Sequence, residues 1–97
     1  MAHFLVEYLE IGSPEQRTAL RGEHIAYRKG LGDHLPLAGP ILDDTGRPIG
    51  SLVILEAADQ NEATRIAVAD PYVTAEVFKL VSVRPYRIAA LRPAAST

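Results

Sequence analysis

The sequence contains no cysteine and no tryptophan. The first absence excludes disulfides, thiolate nucleophiles and zinc–thiolate sites. An excess of positive charge is missing too: ten Lys and Arg stand against twelve Asp and Glu, for a formal net charge of −2. That is the reverse of a nucleic-acid-binding footprint. Aromatics make up only 6% of the chain, and the strand-like segments hold little Lys or Arg, so a stacking surface for RNA is also lacking. No apolar run approaches the ~20 residues of a membrane span. Met1 to Glu10 carries two acidic residues and no basic start, which does not read as a secretory signal. The expectations are a cytoplasmic protein with no nucleic-acid and no membrane partner. Neither a Walker loop nor G-x-G-x-x-G occurs, so a nucleotide is not expected. H-x-H and H-E-x-x-H are absent, and Asp43 and Asp44 lack the ligand spacing of a calcium loop. No metal and no cofactor are expected.

What is present is an ordinary globular composition, 47% apolar and 23% charged over 97 residues, which suits one domain. Its core should span about residues 2–89, with 90–97 as a tail. Ala2 to Leu9 reads as a central strand, with Phe4, Val6 and Tyr8 on one face. Ser13-Pro14-Glu15-Gln16 is a helix start with a capping box, and the helix should run to about Leu31. Leu35 to Leu42 reads as a strand placed at an edge by Pro40, Asp43 to Gly46 as a turn, and Ile49 to Ala57 as a strongly apolar strand. Asp59 and Glu62 form a second capping box, opening a helix that must stop before Pro71. A last strand is expected over about Ala75 to Ala89, with Val77, Val81 and Val83 sharing a face and Pro85 marking an edge. The order is β-α-β-β-α-β, the split βαβ of an α+β, ferredoxin-like sandwich: an antiparallel sheet with two helices on one face. The other face is left bare, which in a small protein predicts a homodimer through the open sheet.

Four short motifs fall on this frame. Arg21-Gly22-Glu23-His24-Ile25-Ala26-Tyr27 lies on the first helix, Ala38-Gly39-Pro40 on the second strand, Gly50-Ser51 at the start of the third, and Asp70-Pro71-Tyr72 at the corner after the second helix. In this order and spacing they resemble the YCII (YciI-like) family. The resemblance implies a dimeric α/β-barrel-like assembly of ferredoxin-like domains with a pocket and a His–Asp pair as its active centre, carried here by His24 and Asp70. It also implies a small-molecule ligand, since the wider group includes an enzyme that removes chloride from a chlorinated hydroxyquinol.

The residues themselves give a compatible reading. His24 lies at the seam between the apolar stripe of the first helix, Leu20, Tyr27 and Leu31, and a basic stripe of Arg17, Arg21 and Arg28. Histidine titrates near neutrality and can pass a proton between two sites on a substrate. A neighbouring carboxylate would fix its tautomer, and Asp70, held out of the α region by Pro71, is the candidate. Arg17, Arg21 or Arg28 could contact an anion, with Arg17 and Arg21 singled out, although the basic stripe as a whole reads most simply as a solvated helix face. Gly39, Pro40, Ser51 and Tyr72 are candidate pocket residues; Ser51 has no local acid–base partner and is not a nucleophile. Two functions follow: a cofactor-free lyase or isomerase acting through His24 and Asp70 on a small cyclic or anionic metabolite, or a non-catalytic ligand-binding or accessory dimerisation module that uses the same pocket.

Overall fold

The computed structural model describes residues 1–92. In chain order these form β1 (Ala2–Glu10), α1 (Pro14–Gly30), a 3-10 turn (Gly32–His34), β2 (Leu37–Leu42), β3 (Pro48–Ala57), α2 (Gln60–Val68), α3 (Pro71–Thr74) and β4 (Phe78–Tyr86). The sheet order is β2-β3-β1-β4 and every neighbouring pair is antiparallel, the ferredoxin-like arrangement. Of the three strand prolines, Pro40 and Pro85 lie on the two edge strands and Pro48 is the first residue of β3, the positions where a missing ladder donor is tolerated.

Alternation in β1 sets the core. Phe4, Val6 and Tyr8 are buried beneath the helices, and Val53, Leu55 and Ala57 of β3 join them. Ala63 and Ala67 bring α2 close to this face, while Leu20 of α1 and Leu31, which caps that helix, pack at its margin. Each fully buried Val, Leu or Phe contributes roughly 1.5–3 kcal/mol. The Tyr8 and Tyr27 hydroxyls donate to the Ala67 and Ile66 carbonyls, at 2.9 and 2.7 Å, and so tie β1 and α1 to α2.

Several boundaries differ from the sequence reading, each for a local reason. The Ser13–Gln16 capping box forms, but the one expected at Asp59 is only half made. Asp59 accepts from the Glu62 amide, while the Glu62 carboxylate accepts from Ala58 N rather than from the cap itself. Strand β2 starts two residues late, because Gly32–His34 forms a 3-10 turn whose His34 Nδ1 lies 2.7 Å from the Glu56 carbonyl. Strand β4 starts three residues late, because Pro71–Thr74 makes an extra helical turn. Its pairing with β1 slips between Glu7 and Tyr8, leaving Val81 as an extra residue. Val81 is therefore 57% exposed instead of sharing a face with the partly buried Val83. The open face of the sheet is not wholly bare: Ile88, Ala90 and Leu91 line an apolar cavity of 380 Å³ with Leu5, Leu37 and Ile54. The tail expected over 90–97 lies outside the described residues from 93 onward.

Gly50 marks the closest backbone approach. A Cβ there would overlap the Tyr8 carbonyl of the paired strand, so β3 can only lie this near β1 with glycine at that position. Gly50→Ala is expected to cost about 2 kcal/mol, read as a lower urea midpoint; an unchanged midpoint would show that the two strands can part without loss.

Candidate functional site

The site forms where α1, the α2–α3 corner and the start of β3 meet. Asp70 is the N-cap of α3, with φ −59° and ψ 130°, the extended conformation that a following proline requires. Its Oδ1 accepts from the Tyr72 amide at 2.9 Å. The side chain is only 2% exposed, and a carboxylate in that position must be fully partnered. Two residues of α1, one helical turn apart, complete it: His24 Nδ1 lies 2.8 Å from Oδ1 and Arg28 Nε 3.3 Å from Oδ2. Burial by itself would raise the Asp70 carboxyl. The hydrogen bonds from His24 and Tyr72, with the positive charge that His24 can carry and that of Arg28, outweigh that and hold it below the ordinary carboxylate range. An ionised carboxylate only accepts, so the proton of this bond sits on His24 Nδ1.

The imidazole is fixed in plane as well as in tautomer. The Tyr72 ring stacks on it, with centroids 3.9 Å apart and planes 8° from parallel, and Phe78 meets both rings edge-on. The Tyr72 hydroxyl donates to the Arg17 carbonyl and so anchors the stack to α1. Beside the ring lies a cavity of 260 Å³, lined by His24, Arg17, Arg21, Arg28, Gly39, Pro40, Gly50, Ser51, Tyr72 and Phe78 among others. It adjoins a shallower groove of 430 Å³ through the shared residues His24, Ile25, Arg28 and Ala38, and Lys29 stands in that groove. The charged groups lining the two spaces are thus cationic or can become so, which suits an anionic guest.

All eight residues singled out from the sequence line this cavity or bound it: Asp70 stands behind His24, and His24, Arg17, Arg21, Gly39, Pro40, Ser51 and Tyr72 face it. Arg17 is partly drawn away toward Glu10, at 3.6 Å. One expectation is corrected. The basic stripe is not uniformly solvated, because the Arg28 side chain is 16% exposed and bound to Asp70. Arg28 is thus committed to Asp70 rather than free for a ligand; the signal for this is the i, i+4 spacing from His24 on one helix face. Tyr27, on the apolar stripe of α1, packs against α2. Tyr8 is close by, but burial pushes its phenol well above the ordinary value, so it stays protonated. Among the described residues no group of three or more His, Asp or Glu is placed to hold a metal ion, and no helix is long and apolar enough to cross a membrane.

A ferredoxin-like α+β domain with a carboxylate-bound histidine in a cationic pocket defines the class. The chain belongs to the family of the YCII-related domain, whose model matches residues 1–87. No curated protein matches it. Among solved structures it is similar to 5-chloro-2-hydroxyhydroquinone dehydrochlorinase from Burkholderia phenoliruptrix AC1100 in complex with 2,5-dihydroxybenzoquinone. The TM-score is 0.70 and the identity 26%, over 89% of this chain and 92% of that one. It also matches a candidate antibiotic biosynthesis monooxygenase from Deinococcus radiodurans, with a TM-score of 0.49 and 16% identity over 97% and 99% of the two chains.

Asp70→Ala removes the acceptor from His24, Arg28 and the Tyr72 amide together, and is expected to cost about 3 kcal/mol at pH 7. Because the folded Asp70 carboxyl lies below its ordinary value, its stabilisation is complete above about pH 4 and is lost as pH falls through the depressed folded value. Urea midpoints of wild type and variant should therefore converge in acid. A constant gap down to pH 2 would mean that the loss is one of packing.

Proposed function

We propose that this protein is a cofactor-free lyase of the dehydrochlorinase type, or an isomerase, acting on a small cyclic or anionic metabolite such as a hydroxylated ring compound. The observation that carries the reading is the 2.8 Å bond from His24 Nδ1 to a buried, ionised Asp70 beside a cavity lined by arginines. Membership of the YCII-related family and the structural similarity to a dehydrochlorinase support it.

In this reading Asp70 orients the imidazole, and Nε2 takes a proton from a ring hydroxyl. The electron pair moves into the ring, and a proton is delivered to the carbon that bears the leaving group. For a chlorinated trihydroxybenzene, chloride then departs with its bonding pair as a second hydroxyl loses its proton. The ring emerges as a hydroxyquinone, and the net loss is HCl. No electron acceptor is needed. Arg17 and Arg21 hold the phenolate or enolate oxygens by charge-assisted hydrogen bonds, while Gly39, Pro40 and Ser51 shape the opposite wall.

A panel of 5-chloro-2-hydroxyhydroquinone, related halogenated hydroquinones and enolisable lactones tests this, with chloride release and ring absorbance followed together. Turnover is expected on at least one compound, and His24→Asn should lower kcat by about a thousandfold. Binding of panel members without turnover, unaffected by His24→Asn, would instead identify a ligand-binding module.

The working form is proposed to be a homodimer joined through the open sheet face. Leu9, Leu37 and Tyr86, each more than 40% exposed, supply apolar area there. Sedimentation should give twice the chain mass, and Leu37→Glu should give a monomer; a wild-type chain that sediments as a monomer at micromolar concentration would rule this assembly out.

A further inference from the structure

Arg28 reaches across the site from α1 and is held on three sides. Its Nε donates to Asp70 Oδ2, the carboxylate oxygen that His24 leaves free. Both terminal nitrogens lie 3.3 Å from Ser51 Oγ, which in turn donates to the Gly39 carbonyl. Its guanidinium carbon stands 5.8 Å from the centre of the Tyr8 ring. A side chain that only covered the helix would need none of these anchors.

Charge decides what the arrangement does. A histidine facing a lone buried carboxylate is held as the imidazolium, because each charge favours the other. An imidazolium has no lone pair and cannot take a proton. Here the Asp70 charge is already matched by a guanidinium, which does not deprotonate. The ring can then satisfy Oδ1 as a neutral Nδ1–H donor and keep the lone pair on Nε2, which makes no hydrogen bond among the described residues.

The remaining groups around His24 act in the same direction or not at all. On α1, Arg17 and Arg21 line the cavity and Lys29 the adjoining groove, and all three oppose a second cation on the ring. The α1 residue Glu23 is exposed, and Glu10 of β1 is engaged with Arg17. The hydroxyls of Tyr8, Tyr27 and Tyr72 are donated to backbone carbonyls. Ser51 of β3 and Phe78 of β4 carry no charge.

We propose that Arg28 is a positioning residue: by neutralising Asp70 it keeps His24 as the uncharged Nδ1–H tautomer, with Nε2 available as the proton acceptor. This rests on the acid–base reading of the His24–Asp70 pair, but its test needs no substrate. In ¹⁵N NMR of the wild-type ring at about pH 7.5, above the range in which a free histidine is charged, Nδ1 should be protonated and Nε2 bare. A doubly protonated ring at that pH overturns the proposal. Arg28→Gln should raise the His24 titration midpoint by about one unit, a tenfold gain in proton affinity, and Arg28→Lys should return it to near the wild-type value. A midpoint that is unmoved or lowered in Arg28→Gln also overturns it. Should Arg28→Gln fail to fold, a doubly protonated wild-type ring at that pH still overturns the proposal. A bare Nε2 in a protein that turns over none of the ring compounds would contradict the lyase reading and leave the role of Arg28 standing. An imidazolium in a protein that releases chloride would do the opposite.

Discussion

A carboxylate with 2% of its surface exposed is the constraint around which the rest of this molecule is arranged. Taking that charge out of water costs several kcal/mol unless donors replace the lost solvent. The fold supplies them from two places far apart in sequence. The Tyr72 amide belongs to the same turn as Asp70, whereas His24 and Arg28 come from a helix more than forty residues earlier. The need to satisfy Asp70 therefore fixes the rotation of α1 against the α2–α3 corner. With α1 so placed, the His24 ring is clamped between Asp70 and Tyr72, and the arginines of the same helix are turned toward one cavity.

The same constraint explains why the site sits at one end of the sheet. Strand β1 ends beside the extra helical turn that Asp70 caps, with the Ile11 and Gly12 amides both bonded to the Val77 carbonyl. Gly50 lets β3 press against Tyr8, and this brings Ser51 under Arg28. A buried polar serine at the start of an otherwise apolar strand is then accounted for, because its hydroxyl links the guanidinium to the Gly39 carbonyl on β2. Structural and chemical roles are joined in this small network. A change at Asp70 should be felt in stability and in the state of His24, whereas a change at Arg21, which is exposed and lines the cavity, should be felt chiefly by a ligand.

Much of this was legible in the sequence. Alternation in β1, the capping box at Ser13 and the edge prolines give the β-α-β-β-α-β order and the strand positions to within a few residues. The candidate pair could be named because Asp70 precedes a proline and His24 lies on a helix seam within motifs of the YCII-related family. Three features stayed hidden, the first a local cap and the other two dependent on tertiary contacts. The helical turn after Pro71 extends the corner that reads as a simple stop, since the Asp70 side chain is available to cap it. The bulge at Val81 arises from a register slip against β1, which no periodicity within β4 records. Arg28 looks like its stripe neighbours Arg17 and Arg21 until the i, i+4 spacing from His24 is combined with the position of Asp70. Its burial is a property of the assembled site.

The account depends on His24 and Asp70 acting as one ionising unit. The most direct measurement is the NMR titration of the His24 ring in the wild type and in Asp70→Asn. Loss of the carboxylate charge, with Arg28 left in place, should lower the His24 titration midpoint by a unit or more, equivalent to about 1.4 kcal/mol of coupling per unit. Superimposable titrations in the two proteins would show that the pair is a structural contact, and the acid–base account of this site would then be wrong.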